Sequence, residues 1–456
     1  MTAPARRAAF EVLRALASGQ FDLGDALSRT RDPLKDPRDR ALTTDLVLGT
    51  LRNRGAIDYQ LRALSSKPLS RLDTPVLDSL RLAAYQIIYR ERVPVSAVVN
   101  DAVSLVKSSR LRSAGPFANA VLRRLARDRD QLAWPTRPTA VAPDGWPALA
   151  EYFSIIYSHP PWLVSRWLRR YGEAAVEAWL QFNNQPPAVT LATNRLRTAR
   201  ELLATRLSAE DVDSAPTAIA PYGLTVISGQ VLRTKAFREG YCLIQDEASQ
   251  IIAELVEPEQ GTPVFDVCAS PGGKTIALAA QVGTAGYVVA ADVRRRRVQL
   301  LRDTLRRCQA GRVGAVQIPA TGAFPFRDGT FERVLVDAPC SGLGTVRRDP
   351  DIRWRRTESD FPALSRQQGD LLSRASRLVA PGGCIIYSTC SSEPEENEEV
   401  IAAFLGKTAD FVVKPVASLT RLGDAIRSLS TTEGFFRSQP GVGLEAFFGA
   451  VLERIR

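Results

Sequence analysis

Val264-Phe-Asp-Val-Cys-Ala-Ser-Pro-Gly-Gly-Lys-Thr275 decides the fold of the second half of this chain. A short apolar run leads into two adjacent glycines and then into a helix-like segment. This order predicts a buried parallel strand, a tight turn and a helix, and the glycines let the backbone approach a ligand closely. The spacing fits neither a Walker A loop nor a dinucleotide-binding G-x-G-x-x-G loop.

The same pattern of strand, turn and helix recurs further along the chain. Strand-like runs occupy Tyr287–Ala291, Ala315–Ile318, Arg333–Val336 and Gly383–Tyr387. Such alternation predicts an α/β fold over residues 237–456, with a mostly parallel sheet and helices on both faces. Ligands of these folds bind at the carboxyl ends of the strands.

Asp292 ends the second predicted strand, about twenty residues after the glycine loop. A carboxylate in this position is suited to hydrogen bonding ribose hydroxyls. Together with a glycine-bearing loop that lacks phosphate-binding features, it fits an adenosine ligand such as S-adenosylmethionine. Spacing alone leaves a generic tight turn as the alternative.

Two cysteines end apolar, β-branched runs. Cys340 closes the run that starts at Val334, and Cys390 closes the run that starts at Cys384. Parallel strands would deliver both thiols to the ligand-binding edge of the sheet, where they suggest covalent chemistry. Either one alone could equally be an ordinary buried cysteine.

The remaining cysteines and the histidine content exclude several kinds of site. None of the six cysteines forms a CxxC pair, which argues against a zinc site or a disulfide framework. We expect Cys384 to pack in a strand, and we expect no role for Cys242 or Cys308. The chain has one histidine, His159, so chemistry that needs a histidine triad or a histidine-ligated metal is nearly excluded. We expect His159 to stabilise a turn before a helix.

The N-terminal part differs in charge from the rest of the chain. Residues 1–130 contain 23 Lys and Arg against 14 Asp and Glu, whereas residues 131–456 contain 37 against 35. Apolar positions recur at helical spacing and predict an all-α bundle over residues 1–132. A basic helical domain attached to a nearly neutral body indicates polyanion binding, although a solvated helical surface would also carry such charge.

The middle of the chain has a different composition again. Its proline density predicts a linker over residues 133–149, followed by a small α+β subdomain over residues 150–236. Within that subdomain we expect helices over residues 161–171 and 173–181, and strands over residues 189–194 and 224–227.

These motifs resemble those of the Sun/Fmu family of RNA 5-methylcytosine methyltransferases, and most closely its RsmB-type members. The resemblance is carried by Gln245–Glu247, Cys268–Lys274, Asp337–Gly342, Arg347–Trp354, Ser388–Ser391 and Glu395–Glu398. Val93–Val103 and Phe117–Arg124 are similar to the NusB-type RNA-binding domain of those members, which separates them from their tRNA-modifying relatives.

The resemblance implies a Rossmann-like methyltransferase domain that methylates carbon-5 of one cytosine in 16S rRNA. It implies that S-adenosylmethionine is bound by Cys268, Ala269, Ser270, Pro271, Gly272, Gly273, Lys274, Asp292 and Asp337. It also implies that Cys390 is the nucleophile and that Cys340 assists product release. Asp337 is expected to hydrogen-bond the base and Lys274 to act at the active site, although Lys274 could also be a surface lysine.

The chemistry of cytosine explains why a thiol is needed. Carbon-5 is a poor nucleophile until a nucleophile adds at carbon-6, and a thiolate is suited to both addition and departure. A base must later remove the carbon-5 proton.

Arg347, Arg348, Arg353 and Trp354 follow the Cys340 motif and are predicted to contact RNA phosphates and stack on bases. The alternative is a solvated loop with Trp354 in a hydrophobic seam.

Two positions depart from the family. Pro319-Ala-Thr-Gly322 has no carboxylate where relatives usually place an Asp near adenine, so adenine binding is expected to rely on backbone groups and packing. Glu445-Ala-Phe-Phe448 replaces the usual Asp-Gly-Phe-Phe.

The expected partner is 16S rRNA, free or in an early assembly state, because a target base must be flipped out of its stack. A tRNA substrate and a non-catalytic RNA-binding assembly factor remain alternatives. We expect a monomer without metal. The lack of a bilayer-spanning stretch or signal peptide predicts a cytoplasmic protein.

Overall fold

The structure is a computed structural model that describes residues 2–91, 93–139 and 146–456. Residues 140–145 of the predicted linker lie outside the described residues. The chain divides into two compact units: residues 1–185 with 346–356, and residues 186–345 with 357–456. Among the described helices, none is both long and apolar enough to span a bilayer.

The first unit is helical, whereas the strands lie in the second unit. The helices are α1 (Pro4–Ala17), α2 (Leu23–Arg31), α3 (Pro37–Arg52), α4 (Arg54–Leu64), α5 (Thr74–Tyr89), α6 (Val95–Ser108), α7 (Gly115–Arg127), α8 (Trp146–Ile156), α9 (Pro161–Asn184), α10 (Arg200–Ser208), α11 (Lys235–Arg238), α12 (Glu247–Glu254), α13 (Gly273–Val282), α14 (Arg295–Arg307), α15 (Ile352–Arg355), α16 (Phe361–Ser376), α17 (Glu398–Leu405) and α18 (Asp424–Arg427). The strands are β1 (Thr190–Thr193), β2 (Asp213–Pro216), β3 (Gly223–Ser228), β4 (Cys242–Ile244), β5 (Pro263–Asp266), β6 (Tyr287–Asp292), β7 (Val313–Gln317), β8 (Phe331–Asp337), β9 (Val379–Thr389), β10 (Phe411–Val413), β11 (Phe436–Arg437) and β12 (Phe448–Arg454).

The first unit contains the predicted helical bundle. Proline in the first turn begins α1, α3 and α5, where its missing N–H costs no hydrogen bond. Asp22 and Asp36 cap α2 and α3 by accepting hydrogen bonds from backbone N–H groups. The apolar faces of α1 to α7 meet in one buried core that includes Phe10, Leu61 and Leu122. The prediction of an all-α N-terminal bundle is therefore confirmed.

The helices that precede the first sheet also belong to the first unit. α9 breaks at Gly172, whose φ of +75° suits glycine, so the two predicted helices are the two arms of α9. Ser158, which follows α8, accepts a hydrogen bond from the backbone N–H of Ala56 in α4 at 3.0 Å. α8 thus packs with the bundle and begins at Trp146, inside the predicted linker, and α9 belongs to the same compact unit, whereas the sequence placed residues 150–236 in one α+β subdomain. Long-range packing of this kind leaves no signal in local composition.

The second unit begins with a four-stranded antiparallel sheet in the order β2-β3-β1-β4. β1 and β3 confirm the two predicted strands, and Leu203 of α10 packs with Leu191 of β1 in the core of this sheet. β4 pairs with β1, with Ile244 opposite Leu191. The sheet therefore continues past the predicted boundary at residue 236.

The larger sheet has the order β10-β12-β9-β8-β5-β6-β7, with β11 paired to β12. From β9 to β7 neighbouring strands are parallel, and the central strands β5, β8 and β9 are largely buried. Along β8, Val334 and Val336 pack in one core with residues of α16 and α17, while Leu335 packs in another with residues of α12 and α13. This confirms the predicted α/β fold, with helices on both faces of a mostly parallel sheet.

Candidate active site

Parallel pairing brings four strand ends to one edge of the larger sheet. β5 ends at Asp266, β6 at Asp292, β8 at Asp337 and β9 at Thr389. Because Asp337 lies opposite Ser388 in the parallel register, the segments that follow β8 and β9 leave the sheet side by side. This is the edge at which open α/β sheets bind ligands.

The loop between β5 and α13 depends on its glycines. Gly272 has a φ of +114°, and a side chain on it would come within 3.0 Å of Leu301. Gly273 begins α13, and a side chain there would meet Gln245 at 3.0 Å. The backbone can therefore turn tightly and present free N–H groups at the start of a ten-residue helix.

A cavity of about 120 Å³ lies against this loop. Its lining residues are Leu243, Ile244, Gln245, Ser249, Asp266, Cys268, Ala269, Ser270, Pro271, Gly273, Lys274 and Asp337. Most of the predicted cofactor residues are thus brought together. Gly272 and Asp292 are not part of this lining.

Asp266 was not assigned a role from the sequence, although it ends the strand that leads into the loop. Its side chain is fully buried, and Oδ2 accepts a hydrogen bond from Thr275 at 2.7 Å. Oδ1 has no hydrogen-bond partner among the described residues. Burial raises the pKa of Asp266 to about 7, despite the opposing hydrogen bond from Thr275. An unsatisfied buried acceptor in a cavity lining fits a ligand that donates hydrogen bonds.

Asp292 is also buried at the neighbouring strand end. Its Oδ1 accepts a hydrogen bond from the backbone N–H of Arg294 at 3.0 Å, just before α14 begins. Arg297 Nη1 lies 4.0 Å from Oδ2. The carboxylate is therefore held in one orientation at the carboxyl end of β6.

The loop that lacks the family carboxylate is held by an arginine of α16. Arg374 donates hydrogen bonds to the carbonyls of Ala320 at 2.7 Å and Pro319 at 2.9 Å. Its guanidinium also lies 4.2 Å from the ring centre of Phe324. The backbone shape of this loop is thus fixed by Arg374, a side chain that belongs to none of the sequence motifs.

Lys274 and Asp337 form a partly buried ion pair. Lys274 Nζ lies 2.7 Å from Asp337 Oδ2 and 2.8 Å from Ser249 Oγ. Ser388 donates a hydrogen bond to Asp337 Oδ1 at 2.9 Å. Burial acts to lower the pKa of Lys274, but the adjacent Asp337 carboxylate outweighs it and the net pKa is raised. The lysine is therefore a cation that orients Asp337, not a surface side chain.

The structure brings Cys340 and Cys390 together, with 3.4 Å between their sulfur atoms. The hydrogen bond with Cys390, followed by burial, raises the pKa of Cys340 well above its ordinary value. Burial also raises the pKa of Cys384 and Cys308, and raises that of Cys242 to about 12. These four thiols are protonated at neutral pH, and only Cys340 stands beside another cysteine of the site.

Glu396 is hydrogen-bonded to both cysteine-containing segments. It lies in the motif Glu395–Glu398, to which the sequence assigned no role. It is fully buried and accepts hydrogen bonds from Ser341, Ser391 and Gln368. The sequence signal was its place six residues after Cys390, but burial of a glutamate could not be read from that spacing.

The predicted RNA-contacting cluster lies in the first unit, and two of its members are corrected. Arg353 is 0% exposed and donates hydrogen bonds to the Ser158 carbonyl at 3.1 Å and to Asn184 Oδ1 at 2.8 Å. Trp354 donates from Nε1 to the Leu51 carbonyl at 2.8 Å and packs against the helical core. This guanidinium has no exposed surface from which to reach a phosphate, so the prediction for Arg353 is wrong.

For Trp354, the structure favours the hydrophobic seam. Arg347 and Arg348 are half-buried and retain exposed surface. Arg347 lies 4.3 Å from the ring centre of Phe182. Their RNA contacts stay predictions.

His159 lies in the turn before α9, as predicted. Its Nδ1 lies 2.7 Å from the Tyr157 carbonyl and its Nε2 lies 3.2 Å from Asn183 Nδ2. Burial holds the pKa of His159 well below its ordinary value, so the ring is neutral. Nδ1 therefore carries the proton and Nε2 accepts from Asn183. Among the described residues, no cluster of His, Cys, Asp and Glu has the arrangement of a metal site.

Comparison with known families assigns three parts of the chain. Residues 253–453 match the family described as 16S rRNA methyltransferase RsmB/F. Residues 3–127 match the NusB family, and residues 159–231 match an RsmF/B-like ferredoxin-like domain.

Individual relatives match over most of the chain. The probable ribosomal RNA small subunit methyltransferase B of Bacillus subtilis is 33% identical over 396 residues, covering 86% of this chain and 85% of that protein. The ribosomal RNA small subunit methyltransferase B of Pseudomonas putida is 34% identical over 406 residues, covering 88% and 89%. A solved methyltransferase homologue from Pyrococcus horikoshii aligns with a TM-score of 0.55 and 26% identity, covering 66% of this chain and 97% of that one.

Proposed function

The chain belongs to the RsmB/F family of 16S rRNA methyltransferases, and we propose that it methylates carbon-5 of one cytosine in 16S rRNA, with S-adenosylmethionine as the methyl donor. The observation that carries this proposal is the pair of thiols, 3.4 Å apart, that follow β8 and β9. DNA cytosine methyltransferases act with the Pro-Cys position alone, so two thiols favour RNA.

The donor groups and unsatisfied acceptor beside the glycine loop support this choice of donor, and S-adenosylmethionine supplies an electrophilic methyl group when bound. The residues that would hold it are the loop from Cys268 to Lys274, with Asp266 Oδ1 available as an acceptor for the donor's ammonium group. Asp292 is assigned to the ribose hydroxyls. The backbone groups of Pro319 and Ala320, fixed by Arg374, are assigned to the adenine side.

In the proposed chemistry the thiolate of Cys390 adds to carbon-6 of the cytosine. The new carbon–sulfur bond moves an electron pair to carbon-5, which would take the methyl group from the sulfonium donor, with the electron pair of the broken sulfur–methyl bond left on the departing thioether. A base removes the carbon-5 proton, the electron pair restores the ring double bond and the sulfur departs as thiolate. Atoms and charge balance because one methyl group enters carbon-5 as one proton leaves.

The neighbouring side chains support each stage. The raised pKa of Cys340 keeps its S–H protonated, so it can donate a hydrogen bond to the Cys390 sulfur. Asp337 is held by Lys274 and Ser388 and can hydrogen-bond the activated base at its ring nitrogen or amino group. Cys340 is assigned to release of the methylated product.

The helical domain is assigned to RNA binding. Residues 3–127 match the NusB family, and the excess of basic residues suits sequence-independent phosphate contacts. Arg347 and Arg348 remain candidates for further RNA contacts. Deproteinised 16S rRNA is expected to be a better substrate than the assembled small subunit, because a paired and packed base is costly to flip.

Substitution of the two cysteines tests the proposal. With deproteinised 16S rRNA and labelled S-adenosylmethionine, Cys390→Ala is expected to form no 5-methylcytosine, and Cys340→Ala is expected to accumulate a covalent protein–RNA adduct. Cys384→Ala is the matched control, because this buried cysteine lies in β9 away from the paired thiols. Nucleoside mass spectrometry and denaturing gels read the two outcomes.

Three results would contradict parts of the proposal. An adduct from the Cys390 variant would reverse the assigned roles of the thiols. Faster methylation of purified tRNA than of 16S rRNA would favour the tRNA alternative. A folded protein with no saturable S-adenosylmethionine binding in calorimetry would indicate a non-catalytic assembly factor.

A further inference from the structure

Glu396 is a buried carboxylate with an unusual number of donors. Oε1 accepts hydrogen bonds from the Ser341 backbone N–H at 2.7 Å and from Gln368 Nε2 at 3.0 Å. Oε2 accepts from the hydroxyls of Ser341 at 2.6 Å and Ser391 at 2.5 Å. Burying an ionised group without partners costs several kcal/mol of free energy, and the four hydrogen-bond donors offset this cost.

The donors are the residues next to the paired thiols. Ser341 follows Cys340 and Ser391 follows Cys390, so one carboxylate holds both cysteine segments. The two hydroxyl oxygens lie 3.2 Å apart. Both segments are thus tied to a single point that lies outside the cofactor cavity lining.

The charge on Glu396 also fixes the direction of the serine hydroxyls. Each hydroxyl donates its proton to Oε2, which frees its lone pairs to accept from the backbone. Ser391 accepts from the N–H of Glu393 at 3.1 Å, and Ser341 accepts from that of Leu343 at 3.4 Å. A neutral amide at position 396 would present N–H donors to at least one group that already donates.

We propose that Glu396 is a positioning residue that sets the spacing of the Cys340 and Cys390 sulfur atoms. Its effect on methylation rests on the proposed function, but the spacing itself does not. Without the carboxylate, the two segments relax apart. A displacement of about 1 Å in a reacting group is enough to lower turnover by about 100-fold.

The spacing can be measured without RNA or S-adenosylmethionine by oxidising the full chain with glutathione disulfide. One protein thiolate attacks the reagent and releases one glutathione thiolate, giving a mixed disulfide. The second cysteine then displaces the remaining glutathione and closes the Cys340–Cys390 bond. The protein loses two hydrogen atoms and the reagent is reduced to two thiols, which intact mass and peptide mapping detect.

Glu396→Gln is expected to accumulate the mixed disulfide and to slow closure of the Cys340–Cys390 bond at least about tenfold, because closure depends on effective concentration. Glu399→Gln is the matched control, since this exposed glutamate lies three residues further along the chain, in the first turn of α17. The affinity for S-adenosylmethionine, measured by calorimetry, is expected to stay within about twofold, because Glu396 is not part of the cavity lining.

Milder variants cover the case in which Glu396→Gln fails to fold. Ser341→Ala and Ser391→Ala each remove one donor and keep the carboxylate, so each is expected to slow closure by a smaller factor. The double variant Ser341→Ala with Ser391→Ala is expected to slow closure more than either alone.

The outcomes separate the two proposals. Closure at the wild-type rate in a folded Glu396→Gln protein, or in both serine variants, would overturn the positioning role even if methylation fell. Slow closure in Glu396→Gln together with normal closure in Glu399→Gln would support it, and this result would stand even if the wild-type protein formed no 5-methylcytosine.

Discussion

Arg353 in the first unit and Glu396 in the second are both fully buried ions. Among the described residues neither has an ion-pair partner within 4.0 Å, and each is surrounded by neutral hydrogen-bonding groups. They differ in what those groups are. Arg353 donates to backbone carbonyls and an amide around α9, whereas Glu396 accepts from the neighbours of two reactive thiols.

The difference teaches that burial of a charge does not by itself identify a functional residue. The same physical arrangement fixes a helical core in one unit and the spacing of reacting atoms in the other. What distinguishes them is whether the partners lie next to groups that can perform chemistry. Stability measurements should therefore respond to Arg353, and thiol reactivity should respond to Glu396.

The largest expected effect concerns Asp266, a buried carboxylate with one donor where Glu396 has four. Its pKa of about 7 lies above the ordinary 3.8, so ionisation opposes folding and stability is lost as the pH rises from about 4 to about 7. Asp266→Asn is expected to remove roughly 4 kcal/mol of this pH dependence, measured by urea unfolding of the cofactor-free protein.

Asp328→Asn, at an exposed position, is the control for that measurement. If the free energy of unfolding depended on pH equally in the Asp266 variant and the wild type, Asp266 would be as well hydrogen-bonded as Glu396. That result would contradict the difference proposed between the two carboxylates.

An intermediate effect is expected for Arg353→Met. The change leaves the Ser158 and Asn183 carbonyls and the Asn184 amide oxygen without their donor and should destabilise the protein by about 3 kcal/mol. Arg355→Met is the control in the same short helix, and its partly exposed ion pair with Asp351 is worth less than about 1 kcal/mol.

Urea midpoints of the two arginine variants give the comparison directly. If Arg353→Met left the stability unchanged but slowed formation of the Cys340–Cys390 disulfide bond, Arg353 would affect thiol reactivity as Glu396 does, and the proposed difference between them would be wrong.

The smallest expected effect is that of Trp354→Phe. The phenyl ring keeps most of the packing but loses the hydrogen bond to the Leu51 carbonyl, which costs about 1 kcal/mol. Trp134→Phe, at an exposed position, should be neutral. Weaker RNA binding at unchanged stability would instead support the stacking role that the sequence suggested for Trp354.

Much of the second unit could be predicted because its information is local. The strands that end at Asp266, Asp292 and Asp337 are apolar runs with clear boundaries, and the two adjacent glycines mark the turn that follows the first of them. The placement of Cys340 and Cys390 at the ligand-binding edge followed from parallel strands, whereas the direct pairing of β8 with β9 is seen in the structure. Such features depend on residues adjacent in sequence and on the regular geometry of a sheet.

The rest depends on packing between distant residues. Nothing near Arg353 or Glu396 in sequence distinguishes a buried charge from a solvated one, and their partners lie in other elements. β2 is short and partly polar, and β4 has only three residues, so neither shows a strand pattern. The position of α8 and α9 in the first unit follows from contacts such as that of Ser158 with Ala56, which no local composition reveals.

The first unit is discontinuous in sequence, because residues 346–356 complete it from far downstream. A fusion protein that contained residues 1–185 alone would therefore lack part of this unit. The carbonyls to which Arg353 donates and the apolar surface against which Trp354 packs would be exposed to solvent. Supplying the missing eleven-residue stretch as a separate peptide should complement such a fragment, much as a detached strand restores a split reporter protein.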